Sequence, residues 1–216
     1  TSSTTAHNPQ VSVIASTLFL STWIAIQSRE GFVKNLTDNI FIGKKVRLTA
    51  LRKDDIPIMQ RWNEDAGYLR LYNSDPAEPN TEASLNKQLE DWDTSQTQKQ
   101  FIMRPIKSDE CLGNVGLSDI SWSNGTCSLG ITIGNRKNWR QGYGRDAMNL
   151  LLNYAFNELN LHRIGLTVFE YNTAALALYE SLGFQREGTL RDFVHRDGKR
   201  YAMYWYSLLR PEWETQ

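Results

Sequence analysis

Twelve residues in the middle of the chain, Gly134 to Arg145, lie between a β-branched segment and an amphipathic helix, and they limit the fold more than any other stretch. Gly142 and Gly144 stand at the start of that helix, where glycine costs stability, so a requirement other than helix formation places them there. Glycine lets backbone N–H groups approach a ligand closely, and a helix N-terminus adds unpaired donors and a positive dipole end. Arg136, Lys137, Arg140 and Arg145 add positive charge, and no acid occurs in the segment. These parts suit a pyrophosphate.

The surrounding pattern predicts a mixed α/β fold. Ser123-Asn124-Gly125-Thr126 is a strong hairpin turn signal. It joins the expected strands Cys111 to Trp122 and Cys127 to Ile133, with a further strand at Phe101 to Ile106. Upstream, a strand is expected over Lys45 to Leu51, a helix from Asp54 to about Asn63, a loop from Asn73 to Asn80 and a helix opened by Thr81. Downstream come a helix from Gly144 to about Leu159 and a strand from Leu161 to Phe169. A helix follows over Thr173 to Leu182, capped by Asn172 and stopped by Gly183. A last hairpin, Phe184 to Val194 and Arg200 to Leu209, turns at Asp197-Gly198. The expectation is one mostly antiparallel sheet of seven strands with about four helices and a β-α-β unit near residues 127 to 170.

Composition excludes several classes. Twenty-four Lys+Arg balance twenty-four Asp+Glu in 216 residues, so the basic excess of a nucleic-acid or membrane coat is missing. Cys111 and Cys127 are too few for a disulfide scaffold, and with three histidines a structural zinc site is not expected. This balance suits a reducing, cytoplasmic setting. Residues 1–43 read as an apolar N-terminal extension and 44–216 as the domain. Val11 to Ile26 is apolar with polar interruptions, and as a helix would span roughly 24 Å, short of a bilayer core. No basic region precedes it, so an arm packed on the domain or on a partner subunit is the expectation.

Gly142-x-Gly144-x-x-Ala147 formally matches the dinucleotide fingerprint. A nicotinamide enzyme needs the glycines tight against the preceding strand and more parallel strands afterwards. Here about eight polar residues intervene, and helix plus hairpin follows.

Gln141-Gly142-Tyr143-Gly144 at a helix start, followed by Asn172-Thr173-Ala174-Ala175-Leu176-Ala177-Leu178-Tyr179-Glu180-Ser181-Leu182-Gly183-Phe184, closely resembles the GNAT superfamily of acetyl-CoA-dependent N-acetyltransferases. The tail Glu187-Gly188-Thr189-Leu190-Arg191, Asp197-Gly198-Lys199 and Tyr206 to Trp213 looks like the branch of bacterial ribosomal-protein N-terminal acetyltransferases. The resemblance implies a sheet splayed at its centre with acetyl-CoA in the opening. Leu129, Ile131, Thr132 and Ile133 would present strand groups to the pantetheine arm and thioester. Trp139, Arg140, Gln141, Gly142, Tyr143, Gly144 and Arg145 would hold the pyrophosphate. Asn172 and Ala175 would bind the cofactor arm, the Ile131 N–H would stabilise the oxyanion, and Tyr179 would protonate the departing thiolate. No metal is implied.

Two positions depart from the pattern. Trp139 stands where many relatives carry Arg or Gln, and Ser128 stands where a glutamate is frequent, so the resemblance provides no general base. Glu170, Asp119 or a water chain are the alternatives. Residues 54 to 93 hold ten acids against three bases and belong to the region that shapes the acceptor pocket in the family. An acceptor amine, either a peptide N-terminus or a small cationic amine, is the expected partner. The aromatic final hairpin is compatible with cover by a partner subunit, as in a homodimer, with cover by the N-terminal arm, or with a central strand. A non-catalytic acyl-CoA-binding module is the alternative function.

Overall fold

The Asn124-Gly125 turn forms with Gly125 at φ +63° and joins strand β3 (Gly113–Ser121) to β4 (Thr126–Ile133). The computed structural model describes residues 38–216, and Ile40–Gln216 make one unit. The expected arm at Val11 to Ile26 lies outside the described residues. The domain's first contacts begin a few residues before the expected boundary at 44. The Leu48 N–H bonds the Phe41 carbonyl, and the Phe41 ring meets Phe101 and Tyr154.

The remaining elements follow in order. β1 is Val46–Thr49. Helices α1 (Ile56–Trp62), α2 (Ala66–Tyr72) and α3 (Glu82–Thr94) come next. β2 is Lys99–Pro105, and after β3 and β4 comes α4 (Tyr143–Asn153), which ends in a π-type turn at Tyr154–Glu158. β5 (Arg163–Phe169), α5 (Thr173–Glu180), β6 (Gln185–Arg196), β7 (Lys199–Leu209) and α6 (Arg210–Glu214) complete the chain. Among the described residues there are six α-helices, beside the roughly four expected. Both additions are short: α2 starts at its own cap, Asp65, directly behind α1, and α6 is a single turn.

The sheet order is β1-β2-β3-β4-β5-β7-β6. Five neighbouring pairs are antiparallel and only β4–β5 is parallel. β7 therefore lies between two strands, which accounts for its apolar character on both faces. The parallel pair covers only Thr126–Ser128 against Arg163–Gly165. Beyond these positions β4 keeps its ladder to β3 and β5 keeps its ladder to β7, but the two strands no longer pair. This is the expected central splay. The main core lies under α4, whose Ala147, Met148, Leu151 and Leu152 are out of water against Leu117, Ile164 and Leu208.

Candidate active site

The splay leaves unmade hydrogen bonds, and the antiparallel register shows whose they are. Successive residues of a strand turn their N–H and C=O groups to alternate sides. The Gly134 N–H donates to Leu112 on the β3 side, so Thr132 and Gly130 face β3 as well. Ile131 and Ile133, together with the Leu129 carbonyl, point their backbone groups the other way, toward the place β5 has left. The Ile133 carbonyl is taken by the Trp139 indole N–H at 2.9 Å. The Ile131 N–H is on the side of the opening.

A cavity of about 570 Å³ occupies this opening. Ile131, Thr132 and Ile133 form its β4 wall, Trp139, Arg140, Gly142, Gly144 and Arg145 its loop wall, and Asn172, Ala175 and Leu178 its α5 wall. Ten of the expected ligand-binding residues thus meet at one site. Gly144 lies where three elements converge: a Cβ there would be 3.5 Å from Leu178 and 3.7 Å from both Ile131 and Ile133. Gly142 is the N-cap of α4 at φ +82° and offers no side-chain cap, so the first N–H groups of the helix are left for another partner. At α5, Asn172 caps the helix through the Ala175 N–H at 3.2 Å.

Four expected residues do not line the cavity. Leu129 is buried in the core. The Gln141 carbonyl accepts Lys45 Nζ at 2.6 Å, and Tyr143 packs partly on the core. Tyr179 is 6% exposed, with its ring 5.9 Å from Phe184. It lies one turn beyond Ala175, on the same helix face. Burial pushes its phenol up to about 12.

The four basic residues of the loop are not equivalent. Arg136 makes two bonds to Asp65, at 3.0 and 2.8 Å, and Lys137 pairs with Glu110 at 3.4 Å. Both serve structure, because each has an acid within reach. Arg145 lines the cavity while bonding Ser181, and Arg140 lines it with no ion-pair partner among the described residues. Arg140 is also held at φ +58°, a left-handed conformation costly for a residue with a Cβ.

Sequence reasoning missed α2, which bridges the splay. From the β4 side, Asp65 accepts from Gly67 and Tyr68 N–H groups at its start and is itself held by Arg136, which holds its carboxyl below the ordinary range. From the β5 side, the Tyr171 hydroxyl donates to the Arg70 carbonyl at 2.6 Å. Tyr68, Leu71 and Tyr72 of α2, with Tyr171, close the remaining wall. No motif signals this, since a tyrosine on a short helix reads as ordinary core.

The alternative bases are engaged locally. The Glu170 carboxylate accepts from the Ala202 N–H at 2.8 Å, and Asp119 accepts from the Ser118 hydroxyl at 3.1 Å. Among the described residues no cluster of metal-ligating side chains occurs, and no helix is long and apolar enough to cross a membrane.

Residues 45–185 match the family described as the acetyltransferase (GNAT) domain. The chain belongs to the GNAT acetyltransferase family. An N-acetyltransferase of uncharacterised role from Bacillus licheniformis is 33% identical over 69% of this chain and 90% of its own length. The spermidine N(1)-acetyltransferase of Vibrio cholerae is 27% identical over 73% of this chain and 89% of its own. The crystal structure of the V. cholerae spermidine N-acetyltransferase with CoA and spermine shares the fold, with TM-score 0.70 and 24% identity over 78% of this chain and 98% of that one. This GNAT chain is therefore an acyltransferase with acetyl-CoA as co-substrate. Its five antiparallel strand pairs also remove the nicotinamide reading, which requires successive parallel strands.

Proposed function

We propose that the protein transfers the acetyl group of acetyl-CoA to a primary amine that carries positive charge, with a polyamine of the spermidine type as the leading acceptor. The observation that carries this reading is the position of α2. It belongs to the acidic segment and walls the opening from the side opposite Gly144 and Leu178. Two of the ten acids in that segment are spent internally, Asp55 on Arg104 and Asp65 on Arg136. The other eight are exposed, a field that attracts cations. The spermidine acetyltransferase relatives support the same acceptor class. A protein N-terminus is the second reading, supported by the tail motifs and by a provisionally named ribosomal N-acetyltransferase of Bacillus subtilis, 31% identical over 48% of this chain and 56% of its own length.

In this reading the loop from Trp139 to Arg145 and the start of α4 hold the pyrophosphate. The β4 edge holds the pantetheine arm as a strand would. The amine nitrogen attacks the thioester carbon, the N–C bond forms, and the Ile131 N–H receives the developing oxyanion. The C–S bond then breaks and the thiolate takes a proton from Tyr179. With its phenol raised to about 12, that group stays protonated across the working pH range. The ammonium first gives its extra proton to solvent, and the second proton, lost by the nitrogen as the amide forms, returns the Tyr179 phenolate to the phenol. Only about one part in a thousand of such an amine is neutral at pH 7, so kcat/KM should climb with pH.

The test supplies acetyl-CoA with spermidine, spermine or peptides with free N-termini and follows thiol release and product mass. Amine-dependent turnover, largely lost in Tyr179→Phe at unchanged acetyl-CoA affinity, is expected. Binding of acetyl-CoA with no turnover on any amine would instead identify a non-catalytic acyl-CoA-binding module.

A further inference from the structure

The first turn of α4 is tied to the start of β1, about a hundred residues upstream. The Asp146 carboxylate accepts the Lys44 N–H at 3.1 Å, the Lys45 N–H at 2.7 Å and the Val46 N–H at 2.9 Å. Gly43 leaves room for it, since a Cβ there would stand 2.4 Å from Asp146 Oδ2. With its backbone fixed in this way, Lys45 returns its side chain to the loop ahead of α4, and Nζ donates to the Gln141 carbonyl at 2.6 Å. The stem runs along Gly142, where a Cβ would meet Nζ at 2.9 Å and Cε at 3.5 Å. The Gln141 side-chain amide in turn donates to the Lys137 carbonyl at 2.6 Å. Gln141 is thus held through its carbonyl and its side chain at once.

The carbonyl contact decides the direction of a peptide. In a trans peptide the C=O and the N–H point to opposite sides, and no cis bond occurs among the described residues. Turning the Gln141 carbonyl onto Lys45 therefore turns the Gly142 N–H away from Lys45. Gly142 lines the cavity and Lys45 does not. No acceptor for the Gly142 N–H occurs among the described residues. The peptide has an alternative: counter-rotation of Gln141 ψ and Gly142 φ reverses it, and glycine is open to both signs of φ at little steric cost. The reversed peptide would send a carbonyl oxygen where the N–H now points. Glycine does not choose between the two, so the choice falls to Lys45.

We propose that Lys45 is a positioning residue for acetyl-CoA: its grip on the Gln141 carbonyl presents the Gly142 N–H, together with the free N–H groups at the start of α4, to the pyrophosphate. Lys45 acts through the Gln141–Gly142 peptide and from outside the cavity, so its contribution is preorganisation. Without it the peptide divides its time between two orientations, one with an oxygen toward the phosphates, and affinity falls by the share of the productive one. The proposal rests on the reading of Trp139 to Arg145 as the pyrophosphate loop and adds the residue that aims one of its peptides.

The experiment measures the affinity of the whole protein for three ligands by calorimetry, at low and at high salt, with melting temperature alongside. The ligands are acetyl-CoA, ADP, which carries a pyrophosphate, and acetyl-pantetheine, which carries none. Lys45 is exposed, so its substitution empties no core. Lys45→Met keeps the stem and removes the donor. It should weaken acetyl-CoA and ADP by about fivefold to tenfold, with the same deficit at both salt concentrations. Acetyl-pantetheine affinity and melting temperature should not change. Lys45→Arg, which keeps a donor of similar reach, should recover most of the loss. Unchanged acetyl-CoA affinity in Lys45→Met overturns the proposal. A deficit that disappears in high salt also overturns it, by making Lys45 a distant charge. An equal loss for acetyl-pantetheine, or a lowered melting temperature, overturns it by making Lys45 a structural support. If ADP does not compete with acetyl-CoA for the wild-type protein, the pyrophosphate reading of the loop fails and the role of Lys45 falls with it.

Discussion

Arg104 on β2 and Asp55 ahead of α1 form an ion pair of 2.6 Å with their side chains 2% and 3% exposed. The guanidinium also donates to the Thr49 hydroxyl and the Asp109 carbonyl, so three parts of the chain converge on one buried cation. Removing one partner of a buried pair leaves the other charged and unsolvated, at a cost of about 3–5 kcal/mol. Asp55→Ala should therefore lose stability on that scale in urea unfolding. Asp55→Ala combined with Arg104→Met should lose less than the sum of the two single changes. Equal additivity would mean that the pair is not coupled.

The two glycines at the start of α4 should respond differently to substitution. At Gly142 a side chain meets a left-handed φ of +82° and Lys45 Nζ at 2.9 Å. Gly142→Ala should thus lose about 1–2 kcal/mol in thermal or urea unfolding. A Cβ at Gly144 makes only ordinary contacts, but a longer side chain would extend among Ile131, Ile133 and Leu178 into the cavity. Gly144→Leu should retain most of its stability and lose acetyl-CoA affinity by about tenfold or more in calorimetry, which corresponds to roughly 1.4 kcal/mol.

Arg140 should show a trade between strain and binding. Its φ of +58° suits glycine better than arginine. Arg140→Gly should raise stability by up to about 1 kcal/mol. The same change removes a cation from the cavity wall and should weaken acetyl-CoA roughly fivefold. Because the site is open to solvent, the deficit should shrink as salt is added.

Acid should loosen the β5–β7–β6 half of the sheet through Glu187. Arg163 and then the Ser207 hydroxyl hold its carboxyl down at about 2, against an ordinary 4.5. A group whose folded value is depressed adds stability above its unfolded value and loses it as pH falls through the folded one. The contribution of Glu187 should be complete above about pH 4.5 and gone near pH 2. Glu187→Gln should flatten part of the acid limb of a stability–pH curve. The carboxylate is 40% exposed, so solvent screens the pair and the effect should be modest.

Periodicity and turn chemistry made most of the fold legible. Alternation located seven strands, Asn124-Gly125 and Asp197-Gly198 located two hairpins, and Asn172 with Gly183 bounded α5. The splay itself leaves no mark, because Ile131 and Ile133 keep the same alternation whether or not a neighbouring strand pairs with them. The π-type turn at Tyr154–Glu158 was hidden inside an unbroken apolar stripe. At the site, glycine and asparagine motifs located the loop and α5 walls. The α2 wall was invisible, since the Asp65–Arg136 and Arg70–Tyr171 contacts join residues 71 and 101 positions apart. The four loop cations looked alike in sequence, and only the positions of Asp65 and Glu110 separate the structural pair from the pair at the cavity.

An ordinary open sheet has two rims, but the three-residue parallel pairing between β4 and β5 gives this one a second set inside its own middle. The outer rims are protected in familiar ways: β1 is four residues long, and β6 is broken by two register shifts and carries charges along its length. The inner rims have no such charges. Their protection is access, since α2 on one side and the α4 and α5 termini on the other wall the opening between them. A slender molecule that hydrogen-bonds along its length suits such an opening. The fault in the sheet can therefore stay open to a ligand while remaining closed to the neighbouring chains that unpaired strands otherwise recruit.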